Sequence, residues 1–147
     1  YNSLGTQKGE ATNFIAVGSS AHGVLNDDYY FQNFYEQNLY RDAIDNGRFP
    51  IYRGLKMKRD DVIRREVIRH IRTFFNIEFS FFEKKYDFFF NEYFKKELKN
   101  LISFEKDKLI QINSENIVLT PLGEHFSPQV ANVFDVYNDQ EFYKRDF

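Results

Sequence analysis

The sequence predicts a mainly α fold with a small β-hairpin, winged-helix-like in its second half and preceded by a strand. Three observations carry this. Ile63, Val67, Ile71 and Phe74 recur at helical spacing. Two β-prone runs, 109–112 and 117–119, flank the turn-forming Asn113-Ser114-Glu115-Asn116. Thr120-Pro121 then opens a further helix, with Thr as N-cap and Pro at the first helical position.

The remaining elements follow in chain order. Residues 1–12 are polar and read as a loop or arm. Phe14-Ile15-Ala16-Val17 is a short apolar run of the kind found in buried strands. It ends in the small-residue turn Gly18-Ser19-Ser20-Ala21-His22-Gly23, where backbone can approach a ligand closely. A second short strand is expected over 28–31. Asn33 is read as the cap of a helix reaching residue 44, closed by Asn46-Gly47. Pro50 biases Phe49 away from helix, so 50–57 is expected to be extended. Asp60 and Asp61 suit the first turn of the next helix, at the positive end of its dipole. Asn76 is read as its C-cap. Ser80 is read as the cap of a helix to 86, and a third helix spans 91–103, burying Phe94, Leu98, Leu101 and Ile102. The last helix buries Leu122, Phe126, Val130, Val133 and Phe134, with Pro128 bending or restarting it. The tail from Asn138 is expected to fray.

Composition bounds the function. With 147 residues, 42% hydrophobic and 29% charged, the chain reads as one soluble globular domain's worth of sequence. Its net charge of −2 is no polyanion-binding signature. No apolar run approaches the ~20 residues of a membrane span. The absence of cysteine removes any thiolate metal or iron–sulfur site from this stretch and fits a cytoplasmic origin. The start at Tyr1 reads as mid-protein. His22, His70 and His125 lack paired metal-ligand spacing, so no metal site is expected. A winged-helix order raises DNA binding as an alternative. The expected recognition helix mixes Lys95, Lys96 and Lys99 with Glu92 and Glu97, which argues against a one-sided phosphate-tracking face, so no nucleic-acid partner is expected.

Three blocks make the chain resemble the C-terminal part of oxygen-independent coproporphyrinogen III oxidase, a radical S-adenosylmethionine (SAM) family. The first is Ala16-Val17-Gly18-Ser19-Ser20-Ala21. The second is Tyr52-Arg53-Gly54 with Arg59-Asp60-Asp61-Val62-Ile63-Arg64-Arg65-Glu66-Val67-Ile68. The third is Glu83-Lys84-Lys85-Tyr86-Asp87, Tyr93-Phe94, Leu98 and the Ile117 to Gly123 stretch. The resemblance implies three regions: 1–32 as the end of a partial (β/α) barrel otherwise upstream, 33–58 as a connecting helix and linker, and 59–147 as the family's C-terminal helical domain. It implies an upstream [4Fe–4S] cluster that reduces SAM to a 5′-deoxyadenosyl radical, and oxidative decarboxylation of two propionates of coproporphyrinogen III to vinyl groups. No catalytic residue then lies in this chain, whose role is to help enclose substrate against its own upstream barrel. The resemblance also points to a second SAM at Gly18, Ser20, Ala21 and His22, with Ser3 and Leu4 upstream. The family has a Phe-Gln pair where Ser3-Leu4 stand and an apolar residue where His22 stands. The Ser-Ala-His form is closer to the related haem chaperones, so a haem chaperone or haem-acting paralogue is the alternative. Arg59, Arg64 and Arg65 are candidates for gripping substrate carboxylates bidentately, against a purely structural charge network.

Overall fold

A computed structural model describes residues 13–26 and 29–137. The expectations for the arm, for Ser3 and Leu4, for Asp28 and for the tail lie outside them. The described residues divide into two compact units, which meet in the chain between residues 62 and 63.

In the first unit, β1 (His22–Leu25), β2 (Tyr29–Asn33) and β3 (Ile51–Lys56) form an antiparallel sheet in the order β1-β2-β3. Helix α1 (Gln37–Asp45) lies between β2 and β3 in sequence. The residues predicted as a buried strand are not one. Phe14 makes a single bridge to Val24, while Ile15 and Val17 are 74% and 85% exposed. The strand starts later, at His22, which the sequence reading placed in the turn. Gly23 explains why: a Cβ there would overlap the Phe31 ring, so glycine lets the two strands close. Asn33 is no helix cap but the last residue of β2, and α1 begins four residues later with Glu36 at its N-cap.

Helix α2 (Arg59–Phe74) crosses the boundary at residues 62 and 63 and places Asp60 and Asp61 in its first turn. Ile63, Val67 and Ile71 are fully buried, as their spacing predicts, whereas Phe74 is 44% exposed. The helix stops because Phe75 adopts a left-handed φ of 58°. Asn76 is not a cap but opens β4 (Asn76–Glu78), a strand the sequence reading missed. Three residues with one apolar position are too few to show a period of two.

Helix α3 (Phe79–Tyr86) starts without a side-chain cap from Ser80 and ends in Asp87, whose left-handed conformation closes it. The predicted third helix is two, α4 (Phe90–Tyr93) and α5 (Lys95–Lys106). Hairpin strands β5 (Ile110–Ile112) and β6 (Asn116–Leu119) complete a sheet in the order β4-β6-β5. Helix, strand, helices, hairpin is the winged-helix order. Thr120 caps α6 (Pro121–His125), its Oγ1 accepting the Gly123 N–H at 3.1 Å. Pro128 sits in the first turn of a restarted helix, α7 (Ser127–Asn132). The core of this unit is strongly aromatic: Phe79 stacks on Phe90 at 4.4 Å, and Phe94 meets Phe134 edge-on at 5.3 Å. Of the expected packing residues, Phe94, Leu101, Val130 and Phe134 are fully buried, and Phe82 and Phe90 join them. Ile102, Leu122 and Phe126 stay exposed.

Candidate functional site

The structure brings Gly18, Ser20, Ala21 and His22 together in one turn leading into β1. Gly18 and Ser20 both have positive φ, 103° and 63°. Glycine adopts that conformation at no steric cost, whereas serine is strained by it. The turn is tied down at its backbone. The Gly18 N–H donates to the Tyr40 hydroxyl at 3.0 Å, and the Ser20 N–H to the Phe34 carbonyl at 2.9 Å. The Gly18 carbonyl accepts from Asn33 Nδ2 at 2.9 Å. Ser20 and His22 remain exposed, and nothing lies within 4 Å of where a Gly18 Cβ would stand. With the backbone so engaged, the exposed Ser20 hydroxyl and His22 imidazole are the groups that fit a polar ligand such as SAM. A [4Fe–4S] cluster does not fit, because the chain has no cysteine to ligate it. Among the described residues no group of three or more His, Asp or Glu side chains is placed to hold a metal. No described helix is long and apolar enough to cross a membrane.

The three arginines stand on α2 in unlike surroundings. Arg59 is exposed in the first turn and Arg65 is half-buried. Arg64 is only 13% exposed. It donates to Glu97 Oε1 at 2.8 Å and to the Phe134 carbonyl at 3.2 Å, with its guanidinium 5.3 Å from the centre of the Phe94 ring. That side chain is committed to joining α2, α5 and the end of α7. The same pairing buries Glu97, so of the two acidic residues that weighed against a one-sided basic face only Glu92 is on the surface.

Sequence reasoning missed a polar cluster one turn along. Glu66 is 6% exposed and accepts from the Tyr86 hydroxyl, from Lys85 Nζ at 2.9 Å and from Arg69 at 3.2 Å. Burial pushes its carboxyl up. The hydrogen bonds from Tyr86 and Lys85 and the charges of Lys85 and Arg69 outweigh this and hold it below its ordinary value. His70 packs against Phe74, Phe81 and Phe82 at ring distances of 4.9–5.0 Å. Burial, then the Arg69 charge, holds its imidazole below the ordinary value, with Glu66 opposing. The only sequence signal was that Glu66 falls in the second block of the resemblance and Lys85 and Tyr86 in the third.

The unit with this cluster is the one that family comparison recognises. Residues 57–124 match the family model of the HemN C-terminal domain. The chain as a whole is similar to curated proteins named oxygen-independent coproporphyrinogen III oxidase. It is 34% identical over 132 residues to that of Helicobacter pylori strain J99, covering 90% of this chain and 28% of the relative. It is 31% identical over 136 residues to that of Escherichia coli K12, covering 92% and 30%. A solved structure described as coproporphyrinogen III oxidase (HemN) from Escherichia coli, a radical SAM enzyme, superimposes with a TM-score of 0.81 at 30% identity, over 89% of this chain and 30% of that one. The chain thus spans under a third of the length of these relatives.

Proposed function

We propose that this chain is the C-terminal part of an oxygen-independent coproporphyrinogen III oxidase acting in cytoplasmic porphyrin biosynthesis. Residues upstream of it supply the partial barrel, the [4Fe–4S] cluster and its SAM. This part, with 1–32 taken as the end of the barrel and 33–58 as its connection, helps enclose the porphyrinogen. The observation that carries the reading is the joint sequence and structural likeness to the Escherichia coli enzyme across 89% of the chain. The substrate carries four propionates, and Arg59 and Arg65 are proposed to contact them, with Arg64 holding the helix that presents both. The turn at Gly18, Ser20, Ala21 and His22 is proposed to hold a second SAM.

The test is anaerobic turnover by the full-length product of the gene encoding this chain, with its cluster reconstituted and SAM, a reductant and coproporphyrinogen III supplied. Mass spectrometry should show loss of two carboxyl groups as CO2, with 5′-deoxyadenosine formed. SAM cleavage with the porphyrinogen left intact would sink the assignment.

A further inference from the structure

The turn proposed to hold a second SAM does not hold itself. Its left-handed Ser20 costs about 1 kcal/mol or more, which neighbouring structure must offset. Asn33, at the end of β2, is 1% exposed and does much of this. Its Nδ2 donates to the carbonyls of Ala16 at 3.2 Å and Gly18 at 2.9 Å, and its backbone N–H to the Ala21 carbonyl at 2.9 Å. The next residue, Phe34, accepts the Ser20 N–H at 2.9 Å. From α1, the Tyr40 hydroxyl accepts the Gly18 N–H at 3.0 Å. Backbone groups of four turn residues are thereby engaged from one side, while the Ser20 and His22 side chains stay exposed.

We infer that Asn33 and Tyr40 are positioning residues that pre-form the ligand turn, so that a second SAM binds without first ordering the backbone. The inference rests on the second-SAM reading above. Asn33 fits the role better than an aspartate would, because only the amide can donate to two carbonyls. Tyr40 reaches the turn as an acceptor, which phenylalanine cannot replace.

The test uses the full-length, cluster-reconstituted protein and its N33A and Y40F variants, at a temperature where circular dichroism shows all three folded. Equilibrium dialysis with SAM counts molecules bound per chain, and hydrogen exchange follows residues 16–22. Wild type should bind two. N33A should weaken the second by at least about tenfold, and Y40F by about three- to tenfold, the scale of one hydrogen bond. Both should exchange faster in the turn. A merely structural role would lower the melting temperature yet leave the second affinity at wild-type strength. That result overturns the inference and leaves the second-SAM reading standing. A wild type that binds only one SAM overturns both. If N33A does not fold, Y40F decides, since it keeps the ring and removes one acceptor.

Discussion

At the residue scale, the Glu66 cluster makes the sharpest demands. Its carboxylate is buried but receives three donors, and removing it would strand the Tyr86 hydroxyl and Lys85. We expect Glu66→Ala to cost about 1–3 kcal/mol in urea unfolding, with Glu66→Gln retaining part of that. The pH dependence has a fixed sign. Both Glu66 and His70 titrate below their ordinary values in the fold. Each therefore contributes stability that is present above its unfolded pKa and lost as pH falls. The decline should begin below about 6.5 as the unfolded state takes up a proton at His70, and steepen below about 4.5 when Glu66 joins. His70→Phe, which keeps a ring among Phe74, Phe81 and Phe82, should remove the first decline and leave the second. Midpoints of urea denaturation across about pH 2.5 to 8 read both. An unchanged profile in that variant would show that His70 is not the group responsible. None of this was legible residue by residue. Asn33 reads as a helix cap and nothing nearby marks Glu66 as buried, because the partners that define both lie 15 to 20 positions away.

At the scale of elements, legibility followed local physics. The α2 stripe, the hairpin and the Thr120-Pro121 start were readable because each is a short-range pattern with its own cause. The strand β4 and the split between α4 and α5 were not, since both depend on what packs against them. Gly123 lies in between. The resemblance marked it, but only the fold explains it: a Cβ at Gly123 would overlap the Leu109 carbonyl, which also accepts the Thr120 N–H at 2.9 Å. Glycine there lets α6 seat directly on the entry to the hairpin. Gly123→Ala should destabilise by about 1–3 kcal/mol through overpacking, read as a lower melting temperature with the secondary structure retained. The Arg64–Glu97 pair makes a second test at this scale. Both side chains are largely buried, so Glu97→Ala alone should cost about 3–5 kcal/mol by removing the carboxylate that faces a buried guanidinium. A Glu97→Leu, Arg64→Leu double variant should recover much of that, because it removes both charges. A double variant as unstable as the sum of the singles would mean the pair is not coupled.

At the scale of the whole molecule, the two units differ in what they bury. In 63–147 fifteen apolar side chains form one buried cluster. In the described part of 8–62, Ala43, Pro50 and Met57 are the buried aliphatic or thioether side chains, while Val17, Phe49, Tyr52 and Leu55 are 85%, 87%, 51% and 60% exposed. Apolar side chains exposed to that degree, in a unit that buries so few, fit a surface covered by other residues. That accords with a chain spanning under a third of its relatives' length. If the proposed upstream barrel covers it, the 147-residue chain alone should bind a hydrophobic dye such as ANS strongly and the full-length protein weakly. Hydrogen exchange should then divide along the chain. Amides of α2 beyond residue 63 and of β6 should be protected equally in both, because their core is internal. Those of β1 to β3 should be protected only in the full-length protein. Equal protection of β1 to β3 in the short chain would mean that the sheet stands without a cover, and the proposed packing of an upstream barrel on this unit would lose its support.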